Sequence, residues 1–275
     1  MRAPLLMLPA ASMLVLVFAL PLGWFFVRAL LIESPPDALP SLAHDVLTSR
    51  AMLIATWTTF WVSLIVTLVT LLAGYPVAYY MATRGRLRAA IVLFCVIVPY
   101  FTSVIVRTYA WMVLLGAHGV VNDALIGAGL LRAPLPLLYD QFGVTVGMAY
   151  VLLPYMVLTL YASMRAIDPA LLRAARALGG GGFYVFRRIY LPLSMHGVLS
   201  GALIVFILSI GFFITPALMG GPSDVTVAML VERAVEITLD WQEAAIMALL
   251  LLVATLVLYA VYCRVADLRR LTGEA

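Results

Sequence analysis

The chain has 275 residues, of which 65% are hydrophobic and 11% charged, with a formal net charge of +4. A soluble domain usually holds about 25% charged residues, so this composition excludes water as the sole solvent and points to lipid. All 17 basic residues are arginine, which excludes a P-loop lysine and a Schiff-base lysine; any ATP used must be hydrolysed on another polypeptide.

Six apolar segments are long enough to cross roughly 30 Å of hydrocarbon at about 20 residues each. They lie near residues 5–32, 52–81, 89–115, 142–164, 195–219 and 244–263, and they predict an all-α polytopic membrane protein built as one transmembrane domain over residues 1–275. The first is too long for a signal peptide's apolar core of roughly 7–15 residues and reads as an uncleaved span. Pro21, Pro76, Pro99, Pro154 and Pro216 interrupt the spans, with Gly74 just ahead of Pro76. Such breaks create hinges or expose carbonyls to a pathway, although both residue types are also simply commoner in membrane helices.

Charge orients the chain. With the N-terminus inside, the cytoplasmic segments hold twelve arginines: Arg2, Arg84, Arg86, Arg88, Arg165, Arg173, Arg176, Arg187, Arg188, Arg264, Arg269 and Arg270. The outer loops hold three, Arg50, Arg132 and Arg233. This positive-inside bias places both termini, and the loop 165–194, in the cytoplasm of a bacterial inner membrane.

Several chemistries are disfavoured. No Asp or Glu lies within the six segments, which argues against a proton-coupled carrier, although some sodium sites use only carbonyls and hydroxyls. No acid, base and nucleophile cluster as an enzyme would need. Cys95 and Cys263 sit in separate apolar runs and read as buried free thiols. His44, His118 and His196 fall in or beside three different loops without ligand spacing, so no metal is expected. Arg107 is the one strongly intramembrane charge, since Arg28 is near enough to an outer end to snorkel. Arg107 either serves function or reaches the interface and helix carbonyls.

The loop between the fourth and fifth segments contains a short helix by its own signals. Asp168 suits an N-cap, Pro169 the first helical position and Gly179 a left-handed stop. Leu171, Ala174, Ala175 and Leu178 share one face, flanked by Arg173 and Arg176. So short a helix needs something to pack on: a partner, the lipid headgroups or its own bundle.

The spacing Ala174-Ala175-x3-Gly179-x9-Ile189-x-Leu191-Pro192 resembles the EAA loop of ABC importer permeases, which implies a type I permease fold. In that family the loop docks on a cytoplasmic ATPase and transmits its closure to the spans. The position usually held by Glu is Arg173 here. The stretches Gly74–Tyr79, Pro99–Trp111 and Gly211–Pro222 are similar to polyamine-type permeases, the first of two unlike permease subunits of spermidine/putrescine importers. This resemblance implies an ATPase dimer binding ATP and Mg, a second permease and a periplasmic or tethered binding protein docking near Asp123 and Asp224. It implies no cofactor in this chain and no nucleic acid among its partners, with membrane lipid as its surroundings. Related permeases move opines, amino-acid derivatives and phosphonates. For a cationic cargo, Tyr79, Tyr100, Tyr109, Trp111 and Tyr155 could line the pathway with aromatic faces, alongside Arg107; aromatics also anchor helices at interfaces.

Overall fold

The computed structural model describes residues 9, 12–32 and 39–271, without the side chains of 32 and 265–271. Arg2 and residues 5–8, 10 and 11 of the first expected span therefore lie outside the described residues, whose regular structure is helical, with no strand among them.

Six helical stretches are long and apolar enough to cross a bilayer: Ser12–Leu31, Arg50–Thr83, Val104–Gly127, Gln141–Arg165, Gly182–Ile210 and Trp241–Arg264. In chain order the helices are α1 (Ser12–Leu31), α2 (Leu39–Thr48), α3 (Arg50–Thr83), α4 (Arg86–Ile97), α5 (Val104–Leu115), α6 (Val120–Gly127) and α7 (Gln141–Arg165). Next come α8 (Pro169–Ala177), α9 (Gly182–Val185), α10 (Leu191–Ile210), α11 (Ile214–Met219), α12 (Val227–Arg233) and α13 (Trp241–Leu271).

At the centre stands α7, buried along most of its length through Val144, Met148, Leu152, Met156, Leu160 and Met164. A helix apolar on all sides belongs in a core, and α3 and α10 both pack against it and against each other. Small residues permit the close approach. A Cβ added at Gly197 would lie 2.5 Å from the Ser163 Cβ, and one at Gly201 would lie 2.9 Å from the Met156 Sδ. Between helices in lipid, such backbone proximity supplies the packing attraction. A second cluster, at the opposite end of the bundle from the loop 166–181, joins Val46, Met52, Ala55, Val227 and Met247. Outward-facing side chains such as Leu16, Phe18, Trp57, Leu72 and Phe101 are apolar and exposed, as a lipid-facing surface requires.

Two expected spans are broken. The segment 89–115 divides into α4 and α5, separated by a 3₁₀ turn at Val98–Phe101 and extended backbone at Thr102. Pro99 removes a backbone donor and steers the residue before it away from a regular α-helix. The segment 195–219 breaks after Ile210, where Gly211 and Phe213 leave helical geometry before α11 begins. The expected loop end at 194 is helical too, since α9 runs through a π turn at Phe186–Tyr190 into α10. By contrast α3 continues through Pro76 and α7 through Pro154, because packing against neighbours holds both halves in line. Neither cysteine is buried as expected: Cys95 is exposed, since α4 lies on the outside of the bundle, and Cys263 is half-buried.

Candidate functional site

The helix α8 projects from the end of the bundle with clear stops at both ends. The Asp168 Oδ1 accepts a hydrogen bond from the Ala170 N–H at 2.8 Å, satisfying one of the orphan donors of the first turn. At the other end the Gly180 N–H donates to Ala175 C=O and the Gly179 N–H to Arg176 C=O, each at 3.0 Å. With φ of +89° at Gly179, this is a Schellman stop. No α8 residue is buried.

Its predicted face divides. Leu171, Ala174 and Leu178 point outward, Leu178 at 89% exposure. Ala175 and Leu172 are half-buried, and Leu172, like Ile167 and Phe186, packs on the main core. The helix therefore rests one edge on its own bundle and leaves the other uncovered. Arg173 and Arg176 are both exposed. Farther on, Ile189 and Leu191 are half-buried and Pro192 sits in the first turn of α10.

Behind the loop lies a group of rings. Tyr79 packs edge-on to Phe186 and Tyr190, and Tyr75 packs edge-on to Phe186. Tyr79, expected along a pathway, is instead part of this group. Phe186 and Tyr190 carry no motif that marks them; only the fold brings them to α3.

A cavity of about 370 Å³ opens where the two broken spans meet α7, within the range of roughly 300–1,000 Å³ common for small-molecule sites. Tyr100, Thr102 and Ser103 line it from the first break, Phe212 from the second, and Tyr155 from α7. The Tyr100 and Tyr155 hydroxyls hydrogen-bond at 2.9 Å, with the rings edge-to-face. Arg107 reaches the same cavity, 7% exposed, with its guanidinium carbon 6.0 Å from the Tyr100 ring centroid. Its Nε is buried without a hydrogen-bond partner among the described residues; the side chain does not snorkel. Beside the cavity the Thr108 and Thr215 hydroxyls pair at 3.1 Å and tie α5 to α11.

Of the six aromatic and charged residues expected along a pathway, Tyr100, Arg107 and Tyr155 come together. Tyr109 is 52% exposed on the exterior. Trp111 packs into the main core, edge-on to Tyr150. Thr102, Ser103 and Phe212 escaped sequence reasoning, although Pro99 and Gly211 mark both breaks. Asp123, in the first turn of α6, is exposed, whereas Asp224 is 7% exposed and its Oδ2 accepts from the Gly221 N–H at 2.8 Å. That carboxylate closes a turn whose neighbours Pro222 and Ser223 are exposed. The loop ahead of α7 is pinned by buried Asn122, which bonds Gly116 C=O and both backbone groups of Leu135. Among the described residues, no three His, Cys, Asp or Glu side chains gather as a metal site would require.

The profile described as "Binding-protein-dependent transport system inner membrane component" matches residues 74–269. The Haemophilus influenzae spermidine/putrescine transport system permease protein PotB is 35% identical over 208 residues, covering 76% of this chain and 73% of that protein. Its Escherichia coli K12 counterpart is 32% identical over 206 residues, 75% of each. Among solved structures, a bacterial alginate ABC transporter in complex with an alginate-loaded periplasmic protein contains a similar chain. It aligns with a TM-score of 0.71 at 19% identity, over 97% of this chain and 93% of that one; the likeness is one of fold.

Proposed function

Because this chain belongs to the family of binding-protein-dependent transport system inner membrane components, we propose that it forms one half of the translocation path of an ATP-driven importer for polyamines. It is a multi-pass inner-membrane permease of the ABC importer kind. The observation that carries the mechanism is α8, a helix stopped at both ends, lacking any buried residue, with one apolar edge uncovered. We read this surface as one that docks in the cleft of a cytoplasmic ATPase dimer that binds ATP and Mg, with the loop and both termini in the cytoplasm, a reading supported by the arginine bias of the sequence.

The remaining partners are a second, unlike permease of the PotC type and a substrate-binding protein that meets the outer end near Asp123. ATP binding closes the ATPases and draws α8 with them, and the bundle opens outward to receive cargo. Hydrolysis returns it inward. Cargo passes the cavity between the broken spans, where discontinuous helices expose backbone groups to a solute. The Tyr155 ring and the paired Tyr100 and Tyr155 hydroxyls would receive an ammonium group, since Arg107 already lies over the Tyr100 ring; a free ring face contributes about 0.5–2 kcal/mol.

Arg107 favours a second reading. A buried guanidinium with an unused donor suits a carboxylate or phosphonate better than a polyamine, so an amino-acid derivative, opine or phosphonate is the alternative cargo. The deciding experiment is uptake of labelled spermidine by proteoliposomes holding both permeases, the ATPase and the binding protein. ATP-dependent accumulation, competed by putrescine and not by anionic solutes, is expected. Uptake without ATPase would replace the importer by an ion-coupled carrier, and competition by anionic solutes alone would replace the cargo.

A further inference from the structure

The rings behind the loop form one contiguous cluster that spans two elements. Tyr79 stands 4.9 Å from Tyr190 at 89° and 5.5 Å from Phe186 at 83°, centroid to centroid. Tyr75 lies 6.3 Å from Phe186 at 83°, and Phe186 stacks on Tyr190 at 6.2 Å and 18°. The Tyr75 hydroxyl adds a 2.8 Å hydrogen bond to the Ser194 Oγ. Edge-to-face rings at these separations attract one another beyond the area they bury, and they hold a defined orientation.

The placement is what matters. Tyr75 and Tyr79 flank Pro76, where α3 lacks one hydrogen bond of its ladder. Phe186 and Tyr190 are the first and last residues of the π turn, where the ladder of the other element is locally underwound. Two weak points in two helices are thus clamped to each other by side chains. Helix α8 contacts α9, which runs directly into Phe186, and Leu172 of α8 and Phe186 pack on the same core, so a displacement of α8 has a short route to this cluster. The Tyr190 hydroxyl is buried and finds no partner among the described residues. Ring packing, not a polar bond, holds that residue.

We propose that Tyr79, Phe186 and Tyr190 are positioning residues of the transport cycle, passing the movement of α8 to α3 at Pro76. The proposal rests on the importer reading above. A linkage of this kind is separable from docking, because the cluster lies behind α8 and not on its uncovered edge. Removing a ring therefore leaves ATP hydrolysis running without moving the bundle.

The test uses the whole importer in proteoliposomes, with Cys95 and Cys263 replaced by serine and Ser103→Cys as a reporter in the cavity. ATP hydrolysis, bound ATPase and the ATP-dependent change in maleimide labelling of position 103 are measured together. Tyr79→Ala and Phe186→Ala are expected to keep hydrolysis and ATPase stoichiometry within about twofold and to lose at least about tenfold of the labelling change. Tyr79→Phe and Tyr190→Phe, which keep the rings, are expected to behave as the unsubstituted complex. Parallel loss of hydrolysis and bound ATPase, an intact labelling change in the alanine variants, or phenylalanine variants as impaired as alanine would each overturn the proposal. If the unsubstituted complex shows no ATP-dependent change in labelling, the importer reading itself falls and takes the proposal with it.

Discussion

Gly179→Ala asks whether α8 needs its left-handed stop. A Cβ there would meet nothing within 4 Å, so crowding is not at issue. With φ at +89°, the cost is backbone strain alone, roughly 1–2 kcal/mol for an L-residue. The helix it ends has nine residues, too few to persist on local propensity, and one edge is uncovered. Strain of this size changes a two-state population by about 5–30-fold. ATP-dependent uptake by the reconstituted importer, normalised to permease content, is expected to fall by that factor. Gly179→Asn, which tolerates the left-handed region, should stay within about threefold of the unsubstituted protein. Gly179→Asp should lose more than Asn, because a carboxylate at a helix C-terminus costs about 0.3–1 kcal/mol. Unchanged uptake in Gly179→Ala, or equal loss in Ala and Asn, would refute the claim that the φ angle is the constraint.

Arg107→Ala empties one wall of the cavity and leaves Tyr100 without its cation. Uptake should fall by about 2–30-fold, the range of a partly desolvated cation–π contact, and unchanged kinetics would remove Arg107 from the pathway. Arg173→Glu is expected to keep ATPase co-purification within about twofold, because Arg173 is exposed and exposed ion pairs contribute about 0–1 kcal/mol; loss of the ATPase would give that arginine a partner of its own. Gly197→Ala should lower the detergent-unfolding stability more than Gly201→Ala. The first drives a Cβ into the short Ser163 side chain, an overpacking cost of about 1–3 kcal/mol, whereas the second meets the Met156 sulfur, which can turn aside. The reverse order would show that the α7–α10 contact is looser than the distances imply.

The apolar runs made the six crossings legible, since about 20 apolar residues have few other uses. The caps of α8 were equally legible, because Asp168, Pro169 and Gly179 act on neighbours a few residues away. The breaks at 98–103 and 211–213 were obscured for a different reason: hydrophobicity stays high across them, and five prolines offered themselves as equal candidates. Only packing decides that Pro76 and Pro154 are carried inside helices while Pro99 ends one. The cavity and the ring cluster depend on pairs remote in sequence, Tyr100 with Tyr155 and Tyr79 with Phe186. An aromatic residue near a proline looks the same whether it faces a solute or a neighbouring helix, which is why Tyr79 and Trp111 read as pathway residues.

The division of the third crossing also bears on how the chain enters the membrane during synthesis. α4 and α5 have twelve residues each, or about 18 Å of helix; neither alone covers the hydrocarbon thickness, and α5 reaches crossing length only with α6 in the stretch Val104–Gly127. The extended backbone between them has donors and acceptors that lipid cannot satisfy. Their shelter is α7, whose first residue is made 26 positions after Leu115. Residues 86–115 must therefore wait at the insertion machinery, or in its shadow, until that later helix emerges to receive them.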